Sequence, residues 1–319
     1  MIEWGINALN HGSSLAVFAN GDIKYFQKST EEKLPSEFKK QALNWGSPDK
    51  IYWYERPWVK KARQLYAGQY NTVLDLSSSV IPSKYLKAEG FGYAKRKYSH
   101  HHGSHAAAGY YTSPFNHAAI VVLDAIGEFE CATIWEAKHG EMRKVWSRSY
   151  PHSLGLFYSA FTQFVGLTPI KDEHLLQQMA ELGKPHKFIS YVRSYFEHGD
   201  VLKSNTNFHR GVLHWDLNEL TSLQEQCDLA AAVQCVFEEQ VLAVMKTAKQ
   251  LTNADCLVYM GGCALNSRAN KNCVEPMFKY IWSLPQPGDP SSALGAVLYH
   301  KKYRIDWLYG QAKHIEINV

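Results

Sequence analysis

The chain has 319 residues, of which 45% are hydrophobic and 20% charged, with a formal net charge of +4. This composition excludes a disordered or low-complexity chain, and the length suffices for a sizeable core and two lobes. No apolar run approaches the roughly 18 residues of a membrane span, and the stretch Met1–Ile6 has neither a basic nor a long apolar character, so a cytoplasmic location and no membrane partner are expected.

In chain order, Trp4–Ala8, Leu15–Ala19 and Ile23–Gln27 read as three strands, the last two joined by the hairpin signal Asn20-Gly21. The first turn, Leu9-Asn10-His11-Gly12-Ser13-Ser14, offers backbone N–H groups and hydroxyls to a phosphate, or is an ordinary hairpin loop. A helix is expected over 35–45 and a short aromatic strand at Ile51–Tyr54. Lys60, Lys61 and Arg63 then lie among Trp58 and Tyr66, and Lys84, Lys87, Lys95, Arg96 and Lys97 among Tyr85, Phe91, Tyr93 and Tyr98. Gly90 and Gly92 make the second segment read as a loop. Basic residues interleaved with aromatics suit a nucleic-acid backbone and its bases, and equally suit a solvated face.

His101 and His105 are four apart, so a helix puts both imidazoles on one face, within reach of a single metal ion; a solvated histidine patch is the alternative. The run Ala118–Glu128 is a buried strand ending in Asp124 and the glycine turn at Gly127. Two histidines plus an acid at a strand end form a borderline ligand set with open positions. Strands are expected at 131–136 and Met142–Ser149, and helices over Leu154–Val165 and 221–251. The strand Cys256–Met260 runs into Gly261-Gly262 and a helix beginning at Ala264-Leu265-Asn266, an arrangement that lets backbone approach a ligand phosphate. Pro285–Asp289 is a turn and Ser291–Tyr303 a helix. Cysteines 131, 227, 235, 256, 263 and 273 form no paired motif and read as free thiols in a reducing compartment.

Taken in order, these pieces resemble the N-terminal domain of the O-carbamoyltransferases of antibiotic and nodulation-factor biosynthesis. The resemblance runs through Gly5-Ile6 with His11–Ser14 and Asn20–Ile23, Glu31–Leu34, and Tyr54-Glu55-Arg56-Pro57. It continues in His101–Ala106, Ser113-Pro114-Phe115, Asp124–Glu128, Ser153–Tyr158, Asp228-Leu229-Ala230 with Gln234, Gly261–Asn266, Pro287–Asp289 and Ala293–Ala296. It implies an α/β, two-lobed actin-like and sugar-kinase-like ATPase fold with RNase H-like lobes and a cleft between them. The lobes would be 1–115 and 116–319, the last helix packing back toward the first. The domain is also similar to the one that transfers threonylcarbamoyl groups to tRNA.

The resemblance further implies iron, or another divalent metal, on His101, His105, Asp124 and Asp289. His11, His101 and Asp124 would be catalytic. Gly12, Ser13, Ser14, Gly127, Gly261, Gly262 and Asn266 would hold the nucleotide. The implied reaction passes a carbamoyl group from carbamoyl phosphate, by way of ATP and carbamoyl-adenylate, to a hydroxyl. Two departures stand out. The second, YrdC-like domain that makes the adenylate does not follow within Val319, so either a separate protein supplies it or this domain uses carbamoyl phosphate itself. Leu175 and Gln178 also stand where relatives have lysine and glycine. For the acceptor, the expectation is the hydroxymethyl group of a modified pyrimidine in DNA, as in a phage, met through Lys60, Lys61, Arg63, Lys95, Arg96 and Lys97. The alternatives are a sugar- or antibiotic-like hydroxyl, or a non-catalytic nucleotide-binding subunit.

Overall fold

The computed structural model describes residues 1–29, 31–213, 220, 222–305 and 317–318. Its first part comprises β1 (Ile2–Asn10), β2 (Gly12–Ala19), β3 (Asp22–Lys28), α1 (Ser36–Leu43), β4 (Lys50–Trp53), α2 (Pro57–Tyr66), α3 (Tyr70–Leu74), α4 (Pro82–Ala88) and β5 (Lys95–Tyr98). Next come α5 (His101–Thr112), β6 (His117–Gly127), β7 (Glu130–Lys138), β8 (Glu141–Ser149), α6 (Leu154–Phe164), α7 (Glu173–Leu182) and α8 (Ile189–Arg193). The chain closes with α9 (Leu223–Thr252), β9 (Cys256–Met260), α10 (Ser267–Ala269), β10 (Tyr280–Trp282), α11 (Ser292–Lys301) and β11 (Ile317–Asn318).

Two mixed sheets form, in the orders β11-β3-β2-β1-β4-β5 and β10-β9-β6-β7-β8. Helices α5 and α11 lie between them. The apolar run of β6 explains the layering: Ala118, Ile120 and Val122 join the core with α5 and α11, whereas Ala119, Val121 and Leu123 join the opposite core with α6 and α9. A strand buried on both faces needs no polar alternation. Helix α9 starts on Ser222, whose hydroxyl accepts from the Glu225 N–H at 3.2 Å, a cap readable from the sequence; residue 221, the expected start, lies outside the described residues. Among the described residues no helix is long and apolar enough to cross a membrane, and all six cysteines are free.

Three local expectations change. The segment 84–99 is not a loop. Pro82 opens α4, which buries Tyr85 and Leu86, and Lys95–Tyr98 pairs in parallel with β4 as an edge strand. After Gly261 the chain makes a 3₁₀ turn before the short α10, rather than a regular helix, and the last described helix ends at Lys301. Helices α3, α7 and α8 had no clear signature: each is short and interrupted by polar residues.

The tightest constraint is the crossing of α11 and α5. A Cβ on Gly295 would fall 1.8 Å from the Ser104 carbonyl oxygen, a backbone atom unable to retreat alone. Gly295→Ala is therefore expected to cost about 3 kcal/mol through overpacking, read as a lower denaturant midpoint. A midpoint equal to the wild type would show that the two helices have slack here.

Candidate metal centre

The four side chains of the centre come from three segments. Helix α5 begins on His100, whose Nδ1 accepts from the Gly103 N–H at 3.1 Å. With the helix started there, His101 and His105 fall one turn apart, and their Nε2 atoms lie 3.2 Å from each other. Asp124 sits where the β6–β7 register breaks, between Leu123 and Gly127. Its Oδ1 accepts from the N–H groups of Ala125 at 2.8 Å and Gly262 at 3.4 Å. Its Oδ2 is left 3.2 Å from His101 Nε2 and 3.6 Å from His105 Nε2. Asp289 opens the turn before α11. Asn10 Nδ2 donates to its Oδ2 at 2.8 Å and Asn7 Nδ2 to its backbone oxygen at 3.0 Å. Its Oδ1 lies 3.3 Å from both histidine Nε2 atoms.

Each carboxylate thus has one oxygen fixed by protein donors and the other turned to the imidazoles. One ligand atom from each of the four residues lies within 4.8 Å of all the others. Two imidazole nitrogens and two carboxylate oxygens so converged suit a divalent ion of borderline softness, iron included. Glu55 Oε2 stands 3.9 Å from His101 Nδ1, the place where a carboxylate orients a ligating histidine.

The electrostatics agree with this geometry. Burial opposes charge on His101 and His105, but hydrogen bonds to Asp124 and Asp289 outweigh it, so both sit above the ordinary histidine value, His101 well above. Burial likewise pushes Asp124 and Asp289 up, and the same histidines hold both below the usual carboxylate range. His102 differs: burial, then the neighbouring His101 charge, push it well below, and its Nδ1 meets the Thr133 hydroxyl at 3.0 Å. The histidine side chains are 1% and 0% exposed against 14% and 13% for the carboxylates, so the centre opens on its acidic side.

The other expected site residues fall in different places. His11 is exposed at the bend between β1 and β2 and is not one of the four. Gly12, Ser13 and Ser14 are buried on β2, with Gly12 against Pro290, next to Asp289. Gly127 serves packing: a Cβ there would lie 2.2 Å from His101 Cδ2, so its absence seats the ring. Gly261 N–H donates to the Pro287 oxygen at 2.9 Å, tying the Gly-Gly turn to the Asp289 loop. The Asn266 amide is taken up by Gln234 at 3.0 Å and by capping Ala269 N–H at 2.9 Å.

The basic segments divide. Lys95, Arg96 and Lys97 are exposed on β5, but Lys61 and Arg63 are buried, correcting the expectation that the first basic segment presents these two side chains to nucleic acid or to solvent. The Lys61 ammonium caps carbonyls of Thr72 and Asp75, and Lys60 pairs with Glu55 at 2.8 Å. Asn7, Asn10 and Glu55 escaped the sequence reading. Their only signal was proximity to His11-Gly12 and to the Tyr-Glu-Arg-Pro segment.

The family model described as carbamoyltransferase N-terminus matches residues 84–298. Uncharacterized protein sll1178 of Synechocystis sp. is 29% identical over 349 residues, covering 92% of this chain and 56% of that protein. Nodulation protein NolNO of Sinorhizobium fredii is 25% identical over 209 residues, covering 62% of this chain and 30% of that protein. The chain spans about half the length, or less, of the curated relatives it matches. Among solved structures, full-length HypF in its phosphate- and nucleotide-bound form is similar at a TM-score of 0.52 and 10% identity, covering 98% of this chain and 56% of that chain. The fold is the actin-like ATPase fold, α/β and two-lobed.

If these four side chains bind a metal, His101→Ala and His105→Ala each abolish stoichiometric metal in elemental analysis. Asn10→Ala, which frees Asp289 to turn, should weaken affinity by roughly ten- to a hundredfold. Undiminished metal in both histidine variants would refute the centre.

Proposed function

We propose that this chain, which belongs to the carbamoyltransferase N-terminus family, transfers a carbamoyl group from an ATP-derived carbamoyl-adenylate to a hydroxyl acceptor. The observation that carries this reading is the meeting of His101, His105, Asp124 and Asp289, all inside the matched segment 84–298. A bound divalent ion, iron in this reading, would supply Lewis-acid polarisation to the carbamoyl carbonyl. His101 and His105 would present Nε2, and Asp124 and Asp289 one oxygen each.

The rest of the chemistry falls to the chain's own groups. The acceptor oxygen attacks the carbamoyl carbon, the bond from that carbon to the adenylate oxygen breaks, and AMP leaves. The acceptor proton needs a base, and His11 is our assignment. It is exposed, and it directly follows Asn10, whose amide holds Asp289 at 2.8 Å. Gly12, Ser13 and Ser14 are the assigned phosphate contacts, and the Gly261-Gly262 turn, whose own N–H groups are taken by Pro287 and Asp124, is assigned to close backbone approach of the nucleotide. Carbamoyl phosphate is the assigned ultimate donor, with a separate YrdC-like protein forming the adenylate.

For the acceptor, the exposed Lys95, Arg96 and Lys97 support nucleic acid, including a hydroxymethylated pyrimidine in phage DNA. The burial of Lys61 and Arg63 supports a small hydroxylated molecule, because it removes part of the basic face.

The test is incubation with synthetic carbamoyl-adenylate and hydroxymethylated DNA, nucleosides or aminoglycosides, reading a mass gain of one carbamoyl group. No gain with any acceptor would overturn transfer and leave a non-catalytic nucleotide-binding subunit. His11→Ala should lower kcat by about 10²–10⁴-fold, the usual worth of a general base, at unchanged metal content; an unchanged kcat removes His11 from the mechanism. With a DNA acceptor, replacing Lys95, Arg96 and Lys97 by alanine should raise KM and flatten the logarithmic salt slope by about 0.9 for each phosphate no longer neutralised. Normal KM and salt slope in that variant would make β5 a solvated edge.

A further inference from the structure

We infer that Arg63 anchors an oxyanion subsite in the seam between the lobes, beside the candidate metal centre, that receives a phosphate or carboxylate carried by the hydroxyl acceptor. This deepens the transfer reading above and rests on it for the identity of the ligand.

Arg63 is 7% exposed, yet no carboxylate pairs with it among the described residues. Among the described residues its one hydrogen bond runs from Nη1 to Gln69 Oε1 at 2.9 Å, and its guanidinium lies 6.0 Å from the centre of the Tyr150 ring. Its Nε is buried without a partner. The nearest acid in electrostatic terms, Glu55, is already engaged: one oxygen takes Lys60 at 2.8 Å and the other faces His101. A guanidinium keeps its proton at any ordinary pH, so burying one without a counter-charge is costly. Lys61, two residues earlier, shows the structural alternative, with its ammonium filled by backbone carbonyls. Among the described residues Arg63 has no such filling.

The surroundings are built for an anion. From the second lobe, His209 stacks edgewise on Tyr150 at 5.9 Å and brings Nε2 to 3.5 Å from the Gln69 amide nitrogen. Asn207 donates to the Tyr150 hydroxyl at 2.7 Å, fixing the ring under the guanidinium. Burial and the neighbouring Arg63 charge hold His209 below the ordinary histidine value. Tyr66, 69% exposed with its ring 6.2 Å from that of Tyr150, provides an aromatic rim toward solvent. The planar fork of arginine matches a carboxylate or phosphate in two-point contact. Glu55 lies within electrostatic range of Arg63 and stands 3.9 Å from His101, which sets the subsite toward the transfer chemistry.

The probe is inorganic phosphate, titrated into the full chain with the nucleotide site saturated by ADP, with binding followed by calorimetry. Saturable binding is expected, weakened at least tenfold by Arg63→Met and partly restored by Arg63→Lys. His209→Leu, a milder change, should weaken it several-fold and keeps the test decisive if Arg63→Met does not fold. No phosphate binding to the wild type, or equal binding in Arg63→Met or His209→Leu, overturns the subsite. In the transfer assay, phosphate should compete with the acceptor; competition with the carbamoyl donor instead overturns the acceptor assignment. Arg63-dependent phosphate binding in a protein that transfers no carbamoyl group would leave the subsite standing while the transfer reading falls.

Discussion

Two imidazole nitrogens 3.2 Å apart cannot both be charged and buried unless acids meet them, and this requirement organises the molecule. Asp124 comes from the end of β6 and Asp289 from the turn before α11, so one sheet and the last helix must close on α5. The linkage is two-sided. The raised histidines stabilise the fold below the unfolded histidine value, a contribution lost as pH rises through their folded values. The depressed carboxylates stabilise it above the unfolded carboxylate value, a contribution lost as pH falls through theirs. Between those limits the four groups hold one another. A divalent cation would replace the shared protons without changing the charge logic of the site.

The neighbours of the four ligands act by removing freedom. Asn10, Ala125 and Gly262 each occupy a carboxylate oxygen that would otherwise rotate inward, and Gly127 leaves room for the His101 ring. On the rim, Arg56 grips Glu128: its Nε donates at 3.0 Å and its backbone N–H at 2.6 Å. Glu128 adopts a positive φ of 60°, a conformation that side chains rarely accept. That clasp fixes the residue after Gly127, and through it the seat of His101. Positioning of this kind is what separates a working site from a loose collection of ligands.

Much of the fold was legible because the local signals were strong and agreed. Asn20-Gly21 placed the hairpin, the doubly apolar run of β6 placed a central strand, and the apolar periodicity over 221–251 placed the longest helix. The His101–His105 pair was legible because helical spacing alone brings the rings together. Asp289 was not, since it lies 184 residues from His105 and its role depends on where α11 lands; only the family order pointed to it. Asn7, Asn10 and Glu55 were invisible for the same reason. Lys61 and Arg63 misled because basic residues near a helix surface normally reach water. Here α2 turns them inward, and burial became apparent only with α3 and the second lobe in place. The resemblance assigned Gly127 to the nucleotide; the constraint seen at this residue comes from an imidazole ring that sequence proximity does not reveal.

The two lobes are joined by contacts of opposite kinds, and their order in space bears on how ligands enter. Away from the centre, Val258 and Met260 of β9 and Ile120 and Val122 of β6 share one core with α5 and α11, and that core continues to Trp4 and Ile6 of β1. Such a core is close-packed and resists sliding, most of all where Gly295 meets Ser104. Around the centre the junctions are polar: Asn10 on Asp289, Arg56 on Glu128, and Gln69 near His209. Polar junctions exchange with water or ligand groups at little net cost, whereas apolar ones do not. The packing that aligns the two histidines is therefore apolar, and the contacts around the carboxylates are polar. The ligands of the centre sit at the boundary between the two regimes: the histidines on the rigid side, and the carboxylates where the molecule opens.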